Sequence, residues 1–68
     1  MNIAIIGQGY VGLPLALAAC GAGYTVIGVD RDADKIRELQ SGKSGIEEVN
    51  STEISIFLNT GKFKPVIE

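Results

Sequence analysis

The stretch Asn2-Ile3-Ala4-Ile5-Ile6-Gly7-Gln8-Gly9-Tyr10-Val11-Gly12-Leu13-Pro14-Leu15 decides the fold. Asn2 to Ile6 is short, apolar, rich in β-branched residues and stopped by glycine. That pattern predicts a strand buried on both faces, as in a parallel sheet. From Gly9 to Gly23, the run Leu13, Leu15, Ala16, Leu17, Ala18 and Ala19 favours helix. Pro14 is tolerated because the missing N–H falls in the first turn. Gly23 is the expected left-handed residue closing the helix. The helix is apolar on most of its faces and is expected to be largely buried. Thr25 to Asp30 repeats the character of the first strand. The order is strand, glycine turn, helix, strand, which is a βαβ unit with a right-handed crossover.

Farther along, Asp32 is placed to cap a second helix, Ala33 to Ser41. Ile36 and Leu39 lie on one face of that helix and Gly42 ends it. Lys43 to Val49 reads as a loop. Asn50 or Ser51 caps a third helix, and Asn50 with Glu53 has the spacing of a capping box. Ile54, Phe57 and Leu58 form its apolar stripe, and Gly61 closes it. Lys62 to Ile67 is a candidate third strand, with Pro65 removing one ladder donor. The predicted class is α/β: a partial Rossmann fold, β-α-β-α-α-β, with a parallel sheet.

Gly7-Gln8-Gly9-Tyr10-Val11-Gly12 matches G-x-G-x-x-G. The pattern gains its meaning from context, because it follows a predicted strand and opens a predicted helix. Gly7 permits the tight turn off the strand. Gly9, lacking a β-carbon, lets the backbone approach a pyrophosphate. Gly12 allows close helix–sheet packing. The helix start offers unpaired N–H groups and the positive end of a dipole, with Tyr10 and Val11 as the expected donors. The alternative is that these glycines serve only turn and packing.

Asp30 falls 18 residues after Gly12, at the end of the second strand. A carboxylate there accepts the hydroxyl protons of an adenosine ribose. A 2′-phosphate beside it would cost on the order of 4 kcal/mol per unit charge pair at about 4 Å in a medium of effective dielectric ~20. Asp30 therefore favours NAD over NADP. Its competing reading is a cap for the segment starting near Asp32. Arg31 complicates that preference, since a neighbouring arginine accommodates a 2′-phosphate in some enzymes; packing over the adenine is the preferred reading, with a solvated charge as the alternative.

Other features carry no chemistry. Gly42-Lys43-Ser44 resembles the end of a P-loop, but position 37 is arginine where that motif needs glycine. Cys20 is expected to act as a small apolar core residue, since the chain has no histidine to activate it. Glu47 and Glu48 read as a solvated loop pair, and Tyr24 as packing at a helix end.

The chain has 68 residues, a net charge of −2 and 46% hydrophobic residues. The six basic residues are scattered among eight acidic ones, which argues against nucleic acid or an anionic membrane as partner. One cysteine permits no internal disulfide, and no Cys/His cluster suits a metal. A core this small and unstapled is expected to want a partner surface, either downstream domains or a second copy of itself. With no basic signal-type leader and no long apolar run, a cytoplasmic location is expected.

Gly-Gln-Gly-Tyr-Val-Gly-Leu-Pro-Leu at 7–15 goes beyond a generic dinucleotide turn. Together with Gly23-Tyr24-Thr25-Val26-Ile27-Gly28-Val29-Asp30, Asp34-Lys35-Ile36 and Ile46-Glu47-Glu48, it resembles the N-terminus of the UDP-glucose/GDP-mannose dehydrogenase family. The resemblance is tight over the first 36 residues and loose beyond. Val49-Asn50 stands where the family has Pro-Gly. The resemblance implies NAD-dependent, two-step oxidation of a nucleotide-sugar C6 alcohol to a carboxylate. It also implies that Asp30 and Lys35 both touch the adenosine ribose. On this likeness, residues 1–68 are expected to be the N-terminal portion of a Rossmann NAD-binding domain. The family's catalytic cysteine, lysine and asparagine lie downstream of the matched stretch, and Cys20 is not their counterpart. The alternatives are a stand-alone dinucleotide-binding module without catalysis, or a truncated remnant.

Overall fold

Three strands, β1 (Asn2–Ile6), β2 (Thr25–Asp30) and β3 (Phe63–Ile67), lie side by side in that order and run parallel in the computed structural model, which describes residues 1–47 and 49–68. The register pairs Asn2 with Thr25 and Ile6 with Val29, then Val26 with Phe63 and Asp30 with Ile67. Between the strands run α1 (Gly12–Gly21), α2 (Ala33–Gln40) and α3 (Ser51–Asn59), so the order is the predicted β-α-β-α-α-β.

The spatial strand order equals the chain order, so both crossovers step in the same direction. Right-handed crossovers of that kind put their helices on one face of the sheet. Burial agrees. Val26, Gly28, Phe63 and Pro65 are buried on the helix side, while Ala4, Ile6, Lys64 and Val66 are exposed on the other. The expectation that β1 is buried on both faces is therefore corrected. It is an edge strand covered on one face by the described residues, and Ile6 is exposed. The same one-sidedness corrects the expectation for α1. Leu13, Ala16, Leu17 and Cys20 face the core, whereas Leu15 and the preceding Val11 face solvent.

The core joins these α1 residues to Val26, Ile36, Leu39, Val49, Ile54 and Phe63. Each helix ends in the same way. Gly23, Gly42 and Gly61 adopt left-handed φ, and the N–H groups of the two residues after each C-cap bond back to the last turn. This is the Schellman closure, and it turns the chain sharply enough to return to the sheet. Asn50 caps α3 through its Oδ1 to the Thr52 N–H at 2.8 Å. The capping box is not formed: the Glu53 N–H bonds the Asn50 carbonyl, and the Asn50 side chain is taken by Thr52. Pro65 sits where a missing donor matters least. Lys62 and Glu68 make the bonds to β2, so Pro65, at the opposite parity, turns its nitrogen to the free edge. Its carbonyl accepts from Gln40 Nε2 at 3.0 Å, tying α2 to that edge. No helix among the described residues is long and apolar enough to cross a membrane.

Candidate dinucleotide-binding site

The glycine motif lies between the carboxyl end of β1 and the start of α1, as the pattern predicts. Its three glycines answer to three different constraints. Gly7 has φ +89°, a conformation that side-chain-bearing residues avoid. Gly12 faces the carbonyl of Gly7, leaving no room for a β-carbon, so the first turn of α1 can close directly onto the strand end. Gly9 has neither constraint. Its φ is ordinary, and among the described residues the only atom near its missing β-carbon is Lys35 Nζ at 3.9 Å.

The loop is tied to β2 by two bonds. The Gly7 N–H donates to the Val29 carbonyl at 2.6 Å, and the Gln8 N–H donates to Asp30 Oδ2 at 2.8 Å. The N–H groups of Gly9, Tyr10, Val11 and Gly12 have no acceptor among the described residues. They cluster at the N-terminus of α1, where the helix dipole is positive.

Asp30 ends β2 and points to this loop. Its Oδ1 accepts from the Asp32 N–H at 2.9 Å, and Lys35 Nζ stands 3.6 Å from Oδ2. The Gln8 amide, then the Asp32 amide, hold the Asp30 carboxyl below its ordinary range. Burial opposes them and the Lys35 charge assists. Asp30 is thus ionised at neutral pH. Oδ1 has spent one lone-pair direction on the Asp32 N–H and keeps another, while Oδ2 accepts from the Gln8 N–H and faces Lys35. The competing reading of Asp30 as a cap is met in part, because it does bind the Asp32 N–H. The cap of α2 itself is Asp32, whose Oδ1 accepts from the N–H groups of Asp34 and Lys35.

Beside the loop is an open pocket of about 250 Å³. Gln8, Gly9 and Tyr10 line it from the loop, and Asp32, Asp34, Lys35 and Glu38 from the start and outer side of α2. Ser44, Gly45 and Ile46 line it from the connection after α2. The last group was not foreseen as part of a site, and only the tertiary path of that connection brings it there. Tyr10 and Val11 are largely exposed. Arg31 is 86% exposed, does not line the pocket and pairs with Glu68 at 3.7 Å. Cys20 is buried in the core with its thiol toward the Lys62 carbonyl, and burial raises its pKa. Glu47 is exposed, and Glu48 lies outside the described residues. Tyr24 is only partly covered at the end of α1.

The family model of the UDP-glucose/GDP-mannose dehydrogenase family, NAD binding domain, matches residues 1–64. The chain belongs to this family. Its cofactor is accordingly NAD. The chain is 37% identical over 65 residues to the UDP-N-acetyl-D-mannosamine dehydrogenase of Pyrococcus horikoshii, a match that takes in 94% of this chain and 16% of the relative. It is 44% identical over 54 residues to the GDP-mannose 6-dehydrogenase of Azotobacter vinelandii, covering 79% of the chain and 12% of the relative. Among solved structures, the UDP-N-acetyl-mannosamine dehydrogenase of Staphylococcus aureus superposes with a TM-score of 0.91 at 33% identity, over 97% of this chain and 16% of that one. The GDP-mannose dehydrogenase of Pseudomonas aeruginosa superposes with a TM-score of 0.90 at 36% identity, over 97% of this chain and 15% of that one. The 68 residues thus span about one-sixth of the length of these relatives.

Proposed function

We propose that residues 1–68 are the N-terminal portion of a Rossmann NAD-binding domain in a nucleotide-sugar dehydrogenase that oxidises a UDP-sugar C6 alcohol to a carboxylate. The observation that carries the site assignment is Gly9. A glycine with ordinary φ, whose missing β-carbon would meet only the flexible end of Lys35 at ordinary contact distance, has no conformational or packing reason to be glycine among the described residues, and close approach of a ligand supplies one.

In this reading the free N–H groups of Gly9, Tyr10, Val11 and Gly12 receive the pyrophosphate. Gly7 and Gly12 supply the turn that aims those groups. The remaining lone pairs of Asp30 take the ribose hydroxyls. Lys35, 3.6 Å from Asp30, donates to the same sugar and holds the carboxylate in place. Arg31 stands at the rim and folds over the adenine. Its exposed pair with Glu68 costs little to release. When bound, NAD would supply a hydride-accepting nicotinamide, and Gly9, Tyr10, Val11, Gly12, Asp30 and Lys35 would hold and orient its adenosine half. The nucleotide-sugar specificity of the named dehydrogenases supports the substrate class. A cytoplasmic location belongs to the same proposal.

Titrating NAD and NADP separately into the intact protein by calorimetry tests the reading. Saturable NAD binding that is lost in Asp30→Ala and Gly9→Val is expected. Equal affinity for both dinucleotides, or NAD binding indifferent to both substitutions, would overturn it.

A further inference from the structure

Gln8 occupies the first variable position of the glycine motif, and it is fully buried. Its Nε2 donates to the Ile5 and Gly7 carbonyls, both at 2.9 Å, and these two acceptors identify which end of the amide is nitrogen. The side chain therefore staples the carboxyl end of β1 to the start of the loop. Its Oε1 has no hydrogen-bond partner among the described residues and lies against Gly28 of β2. A β-carbon on residue 28 would stand 2.7 Å from Oε1, 2.8 Å from Gln8 Cδ and 2.7 Å from the Phe63 ring. The slot that receives the glutamine exists because position 28 carries no side chain. The main-chain N–H of Gln8 donates to Asp30 Oδ2 at 2.8 Å.

One residue thus touches the strand end, the glycine turn, the middle strand and the acidic side chain. A buried polar group with one end unsatisfied costs stability, so an apolar residue of the same size would suit a purely structural position better. The glutamine provides what an apolar residue would not: two directed bonds that set the loop's path.

We propose that Gln8 is a positioning residue for the cofactor, seated opposite Gly28, which presets the glycine loop and the Asp30 carboxylate before NAD arrives. The inference rests on the NAD site assigned above. Gln8 touches the cofactor through no side-chain atom and acts by removing the ordering cost that a loose loop would add to binding.

The test uses the intact protein and two readouts, residue-resolved hydrogen exchange by NMR and NAD affinity by calorimetry. In the unsubstituted protein without NAD, the bonded amides of Gly7, Gln8 and Leu13 are expected to exchange slowly already, with less than about threefold further slowing on saturation. Fast exchange at these three amides that becomes slow only with NAD would overturn the proposal. In Gln8→Met, which keeps the bulk and loses both side-chain donors, exchange at these amides should rise about tenfold while α3 stays unchanged, and NAD affinity should fall about tenfold. Gln8→Glu, which sets a carboxylate against two carbonyls, should bind more weakly still. A Gln8→Met protein that binds NAD like the parent, or whose exchange rises equally in all elements, overturns the inference. Should that variant not fold, the comparison with and without NAD in the parent decides alone. Failure of the parent to bind NAD would strike the functional assignment instead, and the exchange comparison between parent and variant would still judge the role of Gln8 in setting the loop.

Discussion

Gly12 and Gly7 meet so closely that the Gly12 α-hydrogen faces the Gly7 carbonyl with no room for a β-carbon. Gly9, between them in sequence, has room instead, with only the end of the Lys35 side chain within ordinary contact among the described residues. The motif therefore separates into glycines needed for folding and one needed for ligand approach.

Alanine at these two positions should divide the consequences. Gly12→Ala must displace backbone, so it is expected to cost about 2 kcal/mol or more and to abolish NAD binding. Gly9→Ala meets only the far end of Lys35, so thermal stability should hardly change while NAD affinity falls about tenfold or more. Thermal melts paired with calorimetry check both. A Gly9→Ala protein that binds NAD normally would remove the ligand-approach role.

Asp30 couples the site to acid stability. Its folded-state pKa is depressed below the ordinary 3.8. The stability it contributes is therefore fully present above that ordinary value and is lost as pH falls through the lower folded value. Urea midpoints for the parent and Asp30→Asn, measured from neutral pH downward, should differ by a constant amount until the pH nears 3.8 and then converge. At neutral pH, Asp30→Asn should lose about 1–3 kcal/mol, because an amide cannot accept from both Gln8 and Asp32. It should also narrow the preference for NAD over NADP, which calorimetry with both dinucleotides measures.

Arg31→Ala removes a side chain that is 86% exposed and, among the described residues, paired with Glu68 alone. Unfolding midpoints should be unchanged. NAD affinity should fall about two- to fivefold if the guanidinium covers the adenine, as we propose. A loss confined to stability would contradict that role.

Two substitutions far from the loop serve as controls. Asn50→Ala removes the cap on the Thr52 N–H and should cost about 1 kcal/mol. Ile54→Ala empties a fully buried position and should cost about 2–5 kcal/mol. Below the melting transition, both proteins should bind NAD with unaltered affinity.

The element order, the three helix-closing glycines, the Asp32 cap and the glycine loop were all legible in the sequence. Each depends on contacts between near neighbours in the chain, where a residue's own conformational preference carries the signal. The failure of the Asn50–Glu53 capping box was not legible. There, two local hydrogen bonds of similar strength compete, and the packing of the helix selects one. The burial of Gln8 was missed as well. Gly28 inside a strand was the available signal, since such a glycine marks a close approach by some other group.

The chain by itself determined a βαβ turn with amides free at a helix start and an acid at the next strand's end, because strand length, helix length and glycine spacing leave the backbone few other paths. Only the tertiary structure decided that all helices share one face of the sheet, that β1 and α1 each keep an apolar side open, and that Ser44, Gly45 and Ile46 close the pocket. It also decided that Gln8 occupies the space left by Gly28. Those outcomes depend on how distant segments stack, and stacking follows from shape and burial across the sheet, which no local pattern encodes.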